Sequence, residues 1–552
     1  MRALASVAVD RPRSAAGWLS LDRVGARARV AILVALLIVG ALLDVARFDA
    51  LPVGTYLDDA DYIVTARGIA TGAGFALISS PGNPAELKYP PGFPLFLAPF
   101  TLVAQDNLPV LRIPSILLSL ASLPIWFVVL KRWLPFPVAA TVLAAIGTNE
   151  VVVATSTIVL SENLFMILTA LLFLAATSWL RPGRQLHIPH YLALAGLLVA
   201  LYFTRSIGLV FCAALVLFLV LSGRRKDSIV LLALVLPPVV AWSVRTYLAA
   251  GGLLSAGYAR ELATSGRELL PTTTSVDRPV ETNLLARTTG QVADTFHYYA
   301  TIGIPGALSF FPEGRASGGG ILSRLLHTDW IYGAVAVLLT AIVCFGLIVR
   351  GRRAQFPELA GALYLAALLA WPGVAIRLLH PIVPLLYLFL YEGLSVAWRR
   401  LRPRGSASWL LPSLPGALLG LLVVWNVFRD VQDTRTPVPN RTDFVVGTAW
   451  LSQNTPADSI VMSQWPVSRY LYAHRKMVYP PTLDTTDADR LKAIQAAGVD
   501  YVLLAPPWCC TRQLDTLALD QQQWMAARPD LFALVFFDQE HNVSVYQVLR
   551  RG

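Results

Sequence analysis

Residues 29–46 read RVAILVALLIVGALLDVA, and this apolar stretch decides the kind of fold that the chain can adopt. A helix needs about 20 mostly apolar residues to cross the roughly 30 Å hydrocarbon core of a bilayer, and the stretch comes close to that length. The residues before it are basic, and no small-residue cleavage site precedes Asp44 and Arg47. We therefore predict an uncleaved first membrane span, with residues 1–28 in the cytoplasm.

Apolar runs of similar length recur along the chain. Of its 552 residues, 55% are hydrophobic and 14% are charged, which is far more apolar than a soluble globular protein of this size. We predict a polytopic α-helical membrane domain over residues 29–430, with about eleven transmembrane helices. The runs begin near residues 29, 110, 137, 161, 189, 206, 228, 330, 357, 380 and 409.

The clusters of basic residues support this assignment. If the runs alternate in direction, the clusters all fall on the side of the N-terminus, which the positive-inside rule makes the cytoplasmic side. The net charge of +11 then reflects membrane topology, so we predict membrane lipid and no nucleic acid as a partner. The clusters are Lys131/Arg132, Arg181/Arg184, Arg224/Arg225/Lys226, Arg350/Arg352/Arg353 and Arg399/Arg400/Arg402/Arg404.

An odd number of spans puts the remaining polar mass on the extracytoplasmic face. This mass comprises the outer loops 48–109 and 250–329 and everything after about residue 429. Loops of such length usually carry function. Only five of the 45 basic residues are lysines, a bias typical of GC-rich coding, and we expect a multi-pass protein of a bacterial inner (plasma) membrane.

The tail over residues 440–552 has a different pattern, in which short apolar runs alternate with one clear helical stretch, DADRLKAIQAAG, at 487–498. This alternation predicts a small extracytoplasmic α/β domain, for which the length suffices. The strand-like runs are SIVMS at 459–463, KMVYP at 476–480, DYVLLA at 500–505 and LFALVFF at 531–537.

The first outer loop contains an acidic cluster in YLDDADYIVTARGIATGAGF, residues 56–75. A short helix that begins at Asp58 or Asp59 would place Asp58, Asp61 and Tyr62 on one face. Three carboxylates within four residues repel one another unless cations, a metal ion or water compensate. The cluster can be a helix cap on a solvated segment, or a site for Mg²⁺, Mn²⁺ or Ca²⁺, although the sequence offers no further ligand cluster.

Other charged residues lie at predicted outer ends of spans. Lys88 stands beside the prolines of ELKYPPGFPLFLAPF and can be incidental to a stiff loop. Arg205 lies between two apolar runs, either as a snorkelling residue at a tight turn or as a buried functional charge. Arg377 and His380 are three residues apart, and Glu162 begins a later span, which by itself is ordinary helix chemistry.

Together these segments resemble the GT-C superfamily of membrane glycosyltransferases, in the branch of the protein O-mannosyltransferases (glycosyltransferase family 39) and the lipid A aminoarabinose transferases. The resemblance covers residues 30–400 in order and topology. The family's acidic pair after the first span corresponds to Asp58 and Asp59, and its YPPG stretch begins at Tyr89. Its acidic residue at a later span corresponds to Glu162, and its Arg-to-Pro stretch begins at Arg377.

The resemblance implies transfer of a sugar from a polyprenyl-phosphate donor to an outer-face acceptor, which is an envelope glycan, lipid or protein, with inversion at the anomeric carbon. It implies Asp58 as the general base and Asp59 as the residue that orients the base or the acceptor. The other candidates would contact the donor phosphate or the acceptor. They are Arg205, Arg377, Lys88, His380, Tyr89, Asp61, Tyr62 and Glu162. No definite cofactor is indicated, and a divalent cation at the acidic cluster stays open.

Two positions depart from the family pattern. Asp61 stands where the aminoarabinose transferases often have arginine, and Tyr89 stands at the lysine of their KPP motif. Phosphate contacts therefore do not carry over from that subgroup, and the donor sugar stays open.

The main alternative is a transporter or lipid flippase of cell-envelope precursors, which predicts inverted halves or a chain of charges within the spans. The sequence shows neither pattern. A sensor or assembly scaffold that works through its tail is a further alternative.

Overall fold

The computed structural model describes most of the chain. Helix α1 spans Ala26–Ala46 and leads into the segment that was predicted as the first outer loop, a name kept below, which contains α2 (Asp58–Ala70) and α3 (Gly92–Ala104). The described residues are 25–48, 52–181, 183–250, 284–310, 329–352, 354–371, 373–401, 414–435, 442–481, 486–505 and 520–549.

The bundle continues with helices that mostly follow the predicted apolar runs in order. They are α4 (Arg112–Leu130), α5 (Phe136–Gly147), α6 (Glu150–Ser156), α7 (Ser161–Trp179), α8 (Ile188–Thr204), α9 (Leu209–Leu221), α10 (Arg225–Ala250), α11 (Leu284–Tyr298), α12 (Asp329–Gly351), α13 (Phe356–Ala370), α14 (Val383–Leu401) and α15 (Leu414–Arg435). Of these, α11 falls in the segment 250–329 that was predicted as an outer loop. Every one of the eleven predicted runs coincides with a helix in this series or with α1, and the prediction of a polytopic helical protein is confirmed.

Not every predicted run is long enough to cross a membrane. Among the described residues, seven helices pass that test by length and composition, and the bent pair of α5 and α6 makes up to eight. The bend of 52° follows α5, where the Asn149 side chain accepts hydrogen bonds from the backbone N–H groups of Val151 and Val152 and starts a new helix. The helices α8, α9 and α13 coincide with predicted runs but are shorter than that test requires.

Two glycines allow α12 and α14 to pack closely. A Cβ atom at Gly346 would lie 1.9 Å from the Phe389 carbonyl oxygen, and one at Gly393 would lie 2.2 Å from that of Ile342. Small residues at helix contacts are the usual device for packing in a membrane, where lipid offers no competing hydrophobic force. The contact fixes α14, which follows the 3₁₀ helix Ile376–Ile382 that carries Arg377.

The tail forms the predicted α/β domain. It contains α16 (Thr442–Asn454), α17 (Pro466–Ala473) and α18 (Asp487–Ala496) around one mixed sheet. Strand order is β2-β1-β3-β5-β4, with β1 parallel to β2 and β3, and β5 antiparallel to β3 and β4. The strands are β1 (Ile460–Ser463), β2 (Lys476–Val478), β3 (Tyr501–Leu504), β4 (Phe532–Asp538) and β5 (Val543–Val548).

The α/β domain docks directly on the first outer loop. The backbone N–H of Met477 in β2 donates to the Ser79 carbonyl at 2.7 Å, and the Tyr472 hydroxyl donates to the Val53 carbonyl at 2.7 Å. The Lys476 ammonium donates to the Asn83 side chain at 2.5 Å. The domain and the loop of the acidic cluster therefore lie at the same end of the helix bundle.

Candidate active site

The acidic cluster begins at a tightly held turn. Asp59 is 1% exposed, and its carboxylate accepts hydrogen bonds from the backbone N–H groups of Gly54 at 2.6 Å and Tyr56 at 3.1 Å. These bonds support Leu57, which has a φ of 61°, a value that is uncommon outside glycine. Neither Asp58 nor Asp59 is the N-cap of α2, which is Leu57, and the side chain of that N-cap residue makes no capping hydrogen bond. Asp59 instead fixes the point at which α2 begins and hence the position of Asp58.

Asp58 points in another direction, into a chain of charged side chains. The Tyr89 hydroxyl and the Arg377 guanidinium both donate to its carboxylate. Arg377 also lies 3.5 Å from the Glu162 carboxylate, and Arg205 lies 2.9 Å from the same oxygen of Glu162. Four segments far apart in the sequence thus meet in one alternating row of negative and positive groups. The structure brings together the acidic residue, the tyrosine and both arginines that the sequence singled out.

The aspartates of the cluster differ in their protonation. Burial raises the pKa of Asp58, but Arg377, Lys88 and the hydrogen bond from Tyr89 outweigh burial and lower that pKa to about 2. Burial raises the pKa of Asp59 to about 6 despite its backbone hydrogen bonds. Burial and the nearby Glu86 raise the pKa of Asp61 well above its ordinary value. Asp58 therefore has the lowest pKa of the three carboxyl groups in this cluster.

Tyr62 and Ser161 connect α2 to the row of charges. The Tyr62 hydroxyl lies 3.0 Å from the Ser161 hydroxyl, to which Arg205 donates at 3.0 Å. The Tyr62 ring packs against the rings of Tyr89, at 4.9 Å between centroids, and Phe93, at 5.0 Å. Tyr62 is buried, and these contacts make it a support for the site.

Glu86 is a part of the site that the sequence reasoning missed. Its buried carboxylate accepts hydrogen bonds from the backbone N–H groups of Lys88 and Tyr89, the latter at 3.0 Å. Its carbonyl accepts a hydrogen bond from Arg245 at 2.7 Å. Glu86 thereby orients Tyr89 toward Asp58. The sequence signal for this role is an acidic residue three positions before Tyr89. That spacing is also common in ordinary turns, so it does not single out Glu86.

The remaining predicted residues lie around this core. The Lys88 ammonium is 4.8 Å from the centre of the Tyr89 ring, and His380 is fully buried with its Nδ1 atom 2.7 Å from the Thr155 hydroxyl. Among the described residues, no three His, Cys, Asp or Glu side chains are grouped as metal ligands would be. The charge of Asp58 is balanced by side-chain cations instead.

The helical bundle with a small α/β domain docked at one end has a GT-C-like fold, which it shares with two solved membrane proteins. The structure is similar to ArnT from Cupriavidus metallidurans bound to undecaprenyl phosphate, with a TM-score of 0.52 and 13% identity over 95% of this chain and 98% of that one.

It is also similar to the archaeal oligosaccharyltransferase AglB from Archaeoglobus fulgidus, solved in complex with an inhibitory peptide and a dolichol-phosphate. That match has a TM-score of 0.52 and 12% identity over 94% of this chain and 74% of that one. At these identities the likeness concerns the fold, and the predicted GT-C-like fold is confirmed. No family model matches the sequence, and no curated protein matches it.

The pair of Glu162 and Arg205 gives a first testable expectation. Glu162 is 0% exposed, so replacing Arg205 by Met leaves a buried carboxylate with two long contacts, to Arg377 and to the Ser161 hydroxyl, each at 3.5 Å. Loss of one partner of a buried pair costs about 3–5 kcal/mol, and we expect a clear fall in the melting temperature of the purified protein. The double variant Arg205→Met with Glu162→Gln should recover most of that loss. A double variant no more stable than Arg205→Met would show that the two side chains are not energetically coupled.

Proposed function

We propose that this chain is a membrane glycosyltransferase that moves a sugar from a polyprenyl-phosphate donor to an acceptor at the outer face of the membrane. The observation that carries the proposal is the arrangement around Asp58, whose ionised carboxylate is held by Tyr89 and Arg377 at the end of a GT-C-like bundle. A carboxylate beside several cations suits a reaction in which a hydroxyl loses a proton and a phosphate gains charge.

In the proposed reaction, the acceptor hydroxyl oxygen attacks the anomeric carbon of the donor sugar. The bond from that carbon to the phosphate oxygen breaks, and attack from the opposite side inverts the anomeric configuration. Asp58 takes the hydroxyl proton as the general base. The leaving phosphate carries the negative charge, which Arg377 and Arg205 stabilise, with Lys88 close by. Because phosphate is a good leaving group, no general acid is required.

In this scheme the basicity of Asp58 depends on whether Arg377 is paired with Asp58 or with the donor phosphate. Without donor, Arg377 is paired with Asp58, and the low pKa of Asp58 makes it a weak base. A donor phosphate competes for the same guanidinium, and each hydrogen bond that it draws from Asp58 raises the pKa of that carboxyl. Donor binding therefore activates the base, which limits wasteful proton transfer before the donor is in position.

The acceptor side is formed by the outer loop and the α/β domain. We infer that the domain shapes the choice of acceptor, because β2 and α17 bond to the loop that carries Asp58 and Asp59. The acceptor is an envelope glycan, lipid or protein. We propose a bacterial inner-membrane location with a cytoplasmic N-terminus and an extracytoplasmic α/β domain, which the solved complex of ArnT with undecaprenyl phosphate supports by analogy.

The proposal is tested by the fate of the lipid. Purified protein in detergent, incubated with a radiolabelled set of undecaprenyl-phosphate sugars and an envelope extract, should release undecaprenyl phosphate and transfer label to the extract. A flippase would leave every lipid intact and exchange it between the leaflets of a reconstituted vesicle. Intact lipid together with leaflet exchange would overturn the enzyme assignment.

A further inference from the structure

Two buried side chains near the row of charges each have one polar atom without a hydrogen-bond partner among the described residues. His380 and Asn163 are both 0% exposed. His380 Nδ1 lies 2.7 Å from the Thr155 hydroxyl, and Asn163 Nδ2 donates to the Thr155 carbonyl at 2.8 Å. Within the described part of the chain, His380 Nε2 and Asn163 Oδ1 have no hydrogen-bond partner. Both side chains are thus anchored on Thr155 through their other polar ends.

Hydrogen-bond counting assigns these atoms as acceptors. The Thr155 hydroxyl has one proton and lies 2.6 Å from the Val151 carbonyl, which can only accept. The same hydroxyl must then accept from His380, so Nδ1 carries the ring proton and Nε2 keeps its lone pair. The Asn163 amide is oriented likewise, because its nitrogen donates to a carbonyl and its oxygen is left at the other end.

His380 lies within electrostatic range of Glu162 and Arg205, two members of the row of charges. His380 follows Arg377 by three residues in the 3₁₀ helix Ile376–Ile382, in which such residues are aligned along the helix. Asn163 follows Glu162, whose carboxylate pairs with Arg205 at 2.9 Å. Buried polar atoms in native proteins are normally satisfied by protein, ordered water or ligand. A phosphate oxygen cannot satisfy them, because it is itself an acceptor, whereas a sugar hydroxyl can.

We propose that His380 Nε2 and Asn163 Oδ1 form a subsite that accepts hydrogen bonds from hydroxyl groups of the donor sugar. This inference rests on the proposed function and deepens it. It moves His380 from the phosphate, with which the sequence analysis grouped it, to the sugar. The subsite recognises a polyhydroxylated sugar ring and contributes nothing to binding of the bare lipid phosphate.

Two substitutions separate the two ends of the imidazole ring. His380→Asn can keep an amide nitrogen near the Nδ1 position and its bond to Thr155, but it has no atom at the Nε2 position. His380→Gln reaches the Nε2 position but loses the contact with Thr155. The first variant removes the proposed sugar contact, and the second retains a polar group there.

The experiment compares lipids with and without a sugar. Full-length protein in nanodiscs is titrated with undecaprenyl phosphate and with its mannosyl, glucosyl and galactosyl derivatives. For the derivative that the wild type binds best, His380→Asn should raise the Kd about tenfold, the scale of one lost hydrogen bond to a ligand, with no change for undecaprenyl phosphate. His380→Gln should lie between the wild type and the Asn variant.

The outcomes are distinct. Equal weakening of both kinds of lipid by His380→Asn would make His380 a phosphate contact, and no weakening of either would make the region a buried-water site. Either result overturns the subsite. A wild type that binds none of the lipids overturns the proposed function itself. If His380→Asn does not fold, monodeoxy derivatives of the preferred sugar lipid replace it, and one of them should bind the wild type about tenfold more weakly than its parent.

Discussion

Replacing Asp58 by Asn is expected to lower turnover by about 10²- to 10⁴-fold, the usual contribution of a positioned general base. The amide cannot take the acceptor proton, although it matches the carboxylate in size. Arg377 keeps its contact with Glu162 at 3.5 Å, and its side chain is 34% exposed. The substitution therefore does not leave a buried cation without a counter-ion. The melting temperature should therefore change little while turnover of the preferred lipid donor collapses.

The matched control for Asp58→Asn is Asp106→Asn. Asp106 lies in the same outer loop, but its side chain is 79% exposed and its contact with Arg67 is long, at 3.8 Å. Exposed pairs of this kind contribute little, so this variant should keep wild-type turnover and stability. Full activity of the Asp58→Asn protein, measured as release of undecaprenyl phosphate, would exclude Asp58 as the base.

Replacing Arg377 by Gln is expected to lower kcat/KM by about 10²- to 10³-fold, because a cation at the developing phosphate charge is removed. The same change should alter the pH profile. Arg377 is the largest of the influences that lower the pKa of Asp58 to about 2, and without it the effect of burial raises that pKa. Since the base must be ionised, the acid side of the activity profile should move to higher pH.

Arg377→Lys separates the charge of the side chain from its fork-shaped geometry. Lysine keeps a positive charge but cannot bind a carboxylate or phosphate through two nitrogens, as the guanidinium can. The kcat/KM of the Arg377→Lys protein should lie between those of the wild type and Arg377→Gln. The pH profile of its activity should stay closer to the wild-type profile. An Arg377→Gln protein with reduced activity but an unmoved acid limb would mean that Arg377 does not control the protonation of Asp58.

The order of eleven of the helices could be predicted because each of them has its own apolar run. The lengths could not be predicted in the same way. Arg205, in an extended conformation with a φ of −151°, ends α8 at Thr204, and Asn149 begins a new helix after the bend. Such breaks depend on single residues in an apolar context, where hydropathy barely changes.

The site could be predicted only in part. The contact between Asp58 and Arg377 joins residues 319 positions apart, which no local pattern encodes, and only the family resemblance suggested it. The different partners of the Asp58 and Asp59 carboxylates follow from helix geometry, because neighbouring residues do not face the same way. The sequence does not reveal that backbone N–H groups donate hydrogen bonds to the Asp59 carboxylate, because those groups belong to a turn without a recognisable motif.

The same long separation has a consequence for biogenesis. Asp58 emerges near the start of synthesis, whereas Arg377 and the strand at Lys476–Val478, which bonds to the outer loop through Met477, are made much later. The first outer loop is therefore synthesised well before its ion-pair partner and its docking strand exist. A chain that stops short of them carries Asp58 without its counter-ion. The proposed reactive centre is complete only in the nearly finished protein, so a truncated chain lacks the arrangement on which the proposed transfer depends.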